Sequence, residues 1–210
     1  MIKIVIADDH PIVRAGLKQI LADASDIKVV AEAGDGHEVL KLIRKGGVDV
    51  VLLDITMPSL MGLDALKQMS VENPKLPILV LSMHPEEQYA IRVLKAGASG
   101  YLTKAAAPEQ LIGAIRKVSR GGRYVSAALA EKLALGLQVG ATGLPHENLS
   151  DREYQVLCLI ASGKTVKEIA EELSLSEKTI STYRTRILEK MDMKSNAELT
   201  HYGIKNELVD

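Results

Sequence analysis

Five short apolar runs alternate with amphipathic segments over the first 120 residues, and this alternation is what most constrains the fold. Each run has the length and aliphatic content of a buried strand, and the residues after it keep apolar side chains at helical spacing. The predicted strands are residues 2–7, 28–33, 49–54, 77–82 and 99–102. The predicted helices are one that begins at Pro11 and those of residues 36–44, 62–71, 86–96 and 108–120. Because parallel strands need crossover connections, the pattern predicts an α/β fold with a doubly wound parallel sheet.

Polar residues stand where these strands end. Asp8 and Asp9 follow the first strand, and Asp54 closes the third. In the flavodoxin-like order 2-1-3-4-5 the first and third strands are neighbours, so the three carboxylates converge at the carboxyl edge of the sheet. Carboxylates this close stay ionised together only when a cation joins them, and oxygen ligands favour Mg²⁺. Ser82 ends the fourth strand and Lys104 follows the fifth, so a hydroxyl and an ammonium group stand ready to hold a phosphoryl group.

The character of the sequence changes after residue 120. Residues 126–137 can form a small amphipathic helix, and residues 136–145 are rich in glycine and uncharged, which is typical of a flexible linker. No strand pattern returns from Asn148 onward. We predict a domain of residues 1–120, a linker with a short helix at 121–147, and an all-α domain at 148–210.

Four helices are predicted in the second domain, at residues 151–161, 165–173, 177–191 and 196–205. Ser150 and Glu153 form a capping box, and Ser176 can cap the third helix. Nine apolar residues supply the inward faces: Leu157, Ile160, Ile169, Ala170, Leu173, Leu175, Ile180, Ile187 and Leu188. Short helices joined by tight turns around such a core indicate a helix-turn-helix.

The first 120 residues resemble a two-component receiver domain. The resemblance depends on the three aspartates, on Pro58 and Gly62, and on Ser82, Tyr101 and Lys104. It implies that Asp54 accepts a phosphoryl group from a sensor histidine kinase. It also implies that Asp8, Asp9, Asp54 and the backbone carbonyl of Thr56 hold Mg²⁺. By the same resemblance Lys104 neutralises the phosphoryl group, Ser82 hydrogen-bonds to it, and Tyr101 follows Ser82 inward as a switch.

Several residues around this pocket are less informative. Many receivers have a proline after the lysine, with a cis peptide, whereas Ala105 follows Lys104, so the sequence leaves that isomer open. Leu60 and Met61 stand beside the pocket and either contact a partner or lie back on the domain. We interpret His10 and His84 as loop residues and not as metal ligands.

The helical domain resembles the LuxR-type output domain of NarL/FixJ response regulators, over about sixty residues that include LSDRE at 149–153 and SEKT at 176–179. The resemblance makes Glu177–Met191 the recognition helix for the DNA major groove. The predicted DNA-binding residues are Lys178, Thr179, Ser181, Thr182, Tyr183, Arg184, Thr185 and Arg186. Such domains bind as pairs on adjacent half-sites, so a homodimer is expected when the protein is phosphorylated or on DNA, with the last helix helping to pair the domains.

Composition alone would not have suggested DNA binding. The net charge is −1, and from Asn148 onward the sequence has nine basic and eleven acidic residues. The single cysteine, Cys158, excludes an internal disulfide and fits a reducing compartment. No run of 18 apolar residues occurs, so we expect a soluble, cytoplasmic protein with no membrane partner.

Three functions compete on the sequence. The first is a non-enzymatic transcription regulator, in which the receiver either masks the recognition helix or withholds dimerisation until Asp54 is modified. The second is a phosphotransfer or adaptor protein whose helical half binds another protein. The third is an α/β enzyme that acts on a small phosphorylated metabolite, for which we find no second catalytic constellation.

Overall fold

A computed structural model of the chain describes residues 1–57, 62–83, 86–127, 129–131, 144–206 and 208–209. The chain divides into two compact units, Met1–Leu133 and Ala134–Asp210. Leu60, Met61, His84 and most of the predicted glycine-rich linker lie outside the described residues. The domain bounds 1–120, 121–147 and 148–210 therefore stay a prediction.

The first unit contains a five-stranded parallel sheet in the order β2-β1-β3-β4-β5, which confirms the predicted topology. The strands are β1 (Ile2–Ala7), β2 (Ile27–Ala33), β3 (Val50–Asp54), β4 (Ile78–Ser82) and β5 (Gly100–Thr103). The helices are α1 (Pro11–Ala22), α2 (Gly36–Arg44), α3 (Gly62–Glu72), α4 (Glu86–Lys95) and α5 (Pro108–Ser119). These bounds agree with the predicted ones to within about one residue, a closer match than element ends usually allow.

The sheet is buried at its centre. Every residue of β3 and β4 is buried, as expected for central strands covered on both faces. On one face, Leu52 and Leu79 of the sheet pack in a single cluster with Leu21 of α1 and with Ile115 and Val118 of α5. This rigid centre fixes the positions at which the strands end.

The chain remains attached to the sheet after α5. Tyr124 forms a parallel bridge with Gly100, its backbone N–H donates to Ser99 O at 2.9 Å, and its carbonyl accepts from Tyr101 N at 3.2 Å. Gly100 must be glycine because a Cβ there would lie 2.6 Å from Tyr124 O. Of the predicted helix at 126–137, residues 127 and 129–131 are helical, and most of the remainder lies outside the described residues.

The second unit is helical, as predicted. A 3-10 turn at Pro145–Asn148 was not predicted and precedes α6 (Asp151–Ala161), α7 (Val166–Glu172), α8 (Glu177–Met191) and α9 (Asn196–Lys205). Ser150, Thr165, Ser176 and Ser195 cap the four helices by accepting a hydrogen bond from a backbone N–H. These caps explain why the helix starts could be predicted from the sequence.

The helical core contains most of the residues predicted for it. Six of the nine are buried, whereas Leu173, Leu175 and Leu188 are only partly buried. Cys158, in α6, is also buried. Within the described residues, no helix is long and apolar enough to cross a membrane.

Candidate functional site

The predicted pocket residues meet at the carboxyl edge of the sheet. Strand register places Ala7 opposite Leu53 and Asp54 opposite Leu81, so Asp8 and Asp54 end two adjacent strands. Ser82 ends the next strand and pairs with Thr103, one residue before Lys104. The order 2-1-3-4-5 thus brings together side chains that are up to a hundred residues apart in the sequence.

Lys104 joins the two buried aspartates. Its Nζ donates a hydrogen bond to Asp54 Oδ2 at 2.7 Å and forms an ion pair with Asp8 Oδ2, also at 2.7 Å, without the angle of a hydrogen bond. Asp8 and Asp54 are each only 1% exposed. Burial lowers the pKa of Lys104, but its close contacts with the negatively charged Asp54 and Asp8 outweigh burial and raise the pKa above its usual value. The lysine is therefore a cation that neutralises part of the acidic pocket.

The other oxygen of each buried carboxylate accepts hydrogen bonds from a nearby residue of the following loop. Asp54 Oδ1 accepts hydrogen bonds from Thr56 N at 2.9 Å and from Thr56 Oγ1 at 2.7 Å. Asp8 Oδ1 accepts from His10 N at 2.8 Å. Both buried carboxylates are thus held in a fixed orientation, with one oxygen of each directed toward Lys104.

Four side chains of this pocket offer possible metal ligands. One ligand atom from each of Asp8, Asp9, His10 and Asp54 lies within 4.8 Å of the others. The three carboxylates supply the oxygen donors that Mg²⁺ prefers, so the residues present fit this ion. His10 was not predicted to belong here; its Nδ1 lies 2.8 Å from Asp9 Oδ1, and its ring is 64% exposed. In the sequence, the only sign that His10 belongs to this group is its position directly after Asp8 and Asp9.

Ser82 and Tyr101 are both buried. Ser82 is 0% and Tyr101 1% exposed, and Ser82 O accepts from Lys104 N at 2.8 Å. The tyrosine predicted as a switch is therefore packed inside the first unit. The Lys104–Ala105 peptide is trans, as are the other peptide bonds of the residues that the structure describes.

The solvent face of α8 carries the predicted DNA-binding residues. Ile180, Ile187 and Met191 turn inward and are buried. The opposite side exposes Lys178, Ser181, Thr182, Thr185 and Arg186, whereas Thr179, Tyr183 and Arg184 are partly exposed. The helix therefore presents one continuous polar face, as a recognition helix requires.

Local hydrogen bonds limit what some of these residues can donate. Thr182 Oγ1 donates to Lys178 O at 2.9 Å, and Thr185 Oγ1 donates to Ser181 O at 3.1 Å. In this state the two threonine hydroxyls have only lone pairs to offer to a base edge. Arg184 Nε donates to Asn196 Oδ1 at 2.5 Å, which links α8 to the first residue of α9.

Comparisons with known proteins identify a family for each of the two units. Residues 4–116 match the response regulator receiver domain, and residues 147–203 match the bacterial regulatory proteins of the luxR family. Response regulator UvrY of Escherichia coli K12 is 41% identical over 209 residues, 99% of this chain and 96% of UvrY. Response regulator GacA of Pseudomonas aeruginosa is 39% identical over 211 residues, 100% of this chain and 99% of GacA. The chain belongs to the NarL/FixJ family of response regulators.

Solved structures of response regulators are also similar to this chain. RcsB of Salmonella enterica serovar Typhimurium, bound to promoter P1flhDC with the phosphomimetic BeF3-, matches with a TM-score of 0.65 and 30% identity. The match covers 96% of this chain and 97% of RcsB. Of the three functions weighed on the sequence, these findings support the DNA-binding transcription regulator.

Two features of this response regulator were not recognised as structural in the sequence. A Cβ on Gly62 would lie 2.2 Å from Asp54 O and 2.3 Å from Ile55 Cα, so glycine lets α3 begin directly against the end of β3. In the helical unit, Lys190 Nζ donates to the buried Glu153 Oε2 at 2.6 Å and joins α8 to α6. Burial raises the pKa of Glu153, but hydrogen bonds from Lys190 and Ser150 outweigh it and lower the pKa below its usual value.

Proposed function

We propose that Asp54 is the phosphoryl acceptor of this response regulator and that a sensor histidine kinase supplies the phosphoryl group. The observation that carries the proposal is the contact of Lys104 with both Asp54 and Asp8 at 2.7 Å in a buried pocket. In the transfer, an Asp54 oxygen forms a bond to phosphorus while the bond from phosphorus to the histidine nitrogen breaks. The product is an acyl phosphate on Asp54.

The charges of the pocket suit this step. Asp8, Asp9, Asp54 and the backbone carbonyl of Thr56 would hold Mg²⁺, which when bound neutralises phosphoryl oxygens as their charge develops. Lys104 would remain beside Asp54, where its ammonium group would neutralise a further phosphoryl oxygen. Ser82, at the end of the adjacent strand, would donate its hydroxyl hydrogen bond to the same group. We infer no catalytic activity beyond this transfer.

The output is sequence-specific binding to double-stranded DNA. The exposed face of α8 would enter the major groove, with Lys178, Arg184 and Arg186 for phosphates or guanine edges and Ser181, Thr182 and Thr185 for short contacts. Thr179 and Tyr183 flank that face. The RcsB structures bound to promoter DNA support this assignment, because RcsB matches nearly the whole chain.

Phosphorylation would control that output by a population shift. The acyl phosphate favours one of two arrangements of the first unit, with Ser82 and Tyr101 as the residues that change. The favoured arrangement frees α8 or allows two copies to pair on adjacent half-sites. A regulator of this kind meets its kinase and its promoters in the cytoplasm, where we place it.

Labelling with a small phosphodonor tests the proposal. With Mg²⁺ present, Asp54→Asn should abolish stable phosphorylation of the full chain, measured by intact-protein mass. Asp23→Asn, on the exposed residue that caps the end of α1, is the matched control and should label as the wild type does. Equal labelling of Asp54→Asn and wild type would show that another residue is the acceptor.

A further inference from the structure

We propose that Arg14 is a positioning residue for the metal site, because its guanidinium fixes the main chain that presents Asp8 and Asp9. The inference rests on the proposed function in one respect, that these aspartates hold Mg²⁺. It adds a residue that lies on α1 and carries a charge of the same sign as the ion. The role follows from the contacts of Arg14 with the ends of two strands.

Arg14 contacts the chain near the carboxyl ends of β1 and β2. Its Nη1 donates to Asp8 O at 2.6 Å, and its Nε donates to Glu32 Oε2 at 3.1 Å. The side chain is 18% exposed. A guanidinium group is planar and has donors in fixed directions, so two acceptors on different strands define its position. A lysine would supply the charge without this geometry.

Asp8 depends on this contact more when a cation is present. In the structure, its N–H donates to Ala33 O at 3.1 Å, its Oδ1 accepts from His10 N, and its Oδ2 pairs with Lys104. A cation that takes Oδ2 as a ligand competes with Lys104 for that oxygen. The bond from Arg14 to Asp8 O is then one of the hydrogen bonds that still hold Asp8, and it orients the peptide that joins Asp8 to Asp9.

The negative charge of Glu32 allows Arg14 to position Asp8 and Asp9 without repelling the ion. Lys18 Nζ donates to Glu32 Oε1 at 2.6 Å, so both oxygens of Glu32 are engaged. The hydrogen bond from Lys18 lowers the pKa of Glu32, burial raises it less, and Arg14 lowers it further. Glu32 is therefore ionised at neutral pH, and its charge offsets that of Arg14 toward a nearby cation.

The sign of the change in metal affinity separates positioning from electrostatics. Replacing Arg14 by an uncharged residue removes a positive charge near the cation, which by electrostatics alone would strengthen Mg²⁺ binding. Loss of positioning would weaken it. A residue with only a structural role would change the melting temperature and leave the Mg²⁺ affinity of the folded protein unchanged.

Calorimetric titration of the full chain with Mg²⁺ is the experiment. Arg14→Gln and Arg14→Lys should each raise the Kd for Mg²⁺ by about tenfold, as loss of an outer-sphere partner commonly does. Lys18→Gln, which removes a Glu32 partner but no contact to Asp8, is the matched control and should change Kd by less than about twofold. Raising the Mg²⁺ concentration should restore phosphodonor labelling of both Arg14 variants.

Each result of the titration either supports or overturns the positioning role of Arg14. An unchanged Kd in both Arg14 variants, or tighter binding in Arg14→Gln, would overturn the proposal. If Arg14→Gln does not fold, Arg14→Lys gives the test alone, because it keeps the positive charge and changes only the geometry of the donors. If the wild type binds Mg²⁺ but Asp54 is not labelled, the proposed function fails while the Kd comparison still tests Arg14.

Discussion

The pocket of the first unit and the recognition face of α8 place charged residues in opposite ways. The pocket gathers Asp8, Asp54 and Lys104 from three strand ends, with both aspartates buried and the lysine partly buried, so each charge must have a partner. The residues of the recognition face lie on successive turns of one helix, and most of them are exposed. Substitutions in the pocket should therefore change folding, whereas substitutions on α8 should change binding alone. The following predictions test this comparison, in order of decreasing effect on stability.

Gly62→Ala should have the largest effect. The added methyl group would collide with the main chain of Asp54 and Ile55, so we expect the free energy of unfolding to fall by more than about 3 kcal/mol. Urea denaturation would measure it. Gly113→Ala on α5 is the control, because nothing lies within 4 Å of its added Cβ, and alanine there should stabilise by about 0.5 to 1 kcal/mol. Equal stability of the two variants would contradict the packing of Gly62 against Asp54.

Lys104→Met should come next. Without Mg²⁺ it leaves two buried carboxylates without their cation, and we expect a loss of about 3 kcal/mol. Adding Mg²⁺ should restore part of the lost stability, because the metal ion can then join the two carboxylates in place of the lysine. Lys45→Met, at the exposed C-cap of α2, should leave the unfolding curve unchanged. A variant as stable as wild type without Mg²⁺ would mean that the pocket needs no cation.

Glu153→Gln should have a smaller effect that depends on pH. The folded-state pKa of Glu153 is lowered from 4.5, so its ionic contribution is present above that value and is lost as the pH falls through the folded-state pKa. At pH 7 we expect a loss of about 1 kcal/mol. The difference from wild type should shrink below pH 4.5. Glu168→Gln alters the equivalent, exposed capping box and should cost less; a larger loss there would contradict the role of burial.

Arg186→Ala should leave stability almost unchanged and weaken DNA binding. Loss of one arginine contact should raise the Kd for promoter DNA by about tenfold, measured by fluorescence anisotropy. Lys28→Ala removes the same charge from an exposed position on β2 and is the control. If both variants weaken binding equally and the salt dependence is the same, the effect comes from net charge and not from the face of α8.

Much of this structure could be predicted from the sequence because its signals are local. Strand runs such as residues 49–54 and caps such as Ser150 and Ser176 depend on neighbouring residues. The pocket was predictable because strand order brings the carboxyl ends together once the fold is known. Asp8, Asp54 and Lys104 follow from that rule alone.

What could not be predicted depends on contacts between distant residues. No sequence pattern around Arg14 shows that its acceptors are the carbonyl of the residue after β1 and a glutamate on β2. The need for glycine at residue 62 comes from the close approach of α3 to Asp54, which a pattern of residue types does not contain. The back-bonded hydroxyls of Thr182 and Thr185 are a choice of side-chain rotamer, so the sequence showed their position but not their limited donor capacity.

The bridge from Tyr124 to Gly100 has a practical consequence for dissecting the protein. It occupies main-chain groups on the outer side of β5 that would otherwise offer a template for adding a foreign strand. A fragment that stops at residue 120 would uncover this template and should aggregate at high concentration. A fragment extended to residue 127 keeps the cover, and it also keeps the hydrogen bond from Ser126 N to Glu86 Oε1 at 3.1 Å.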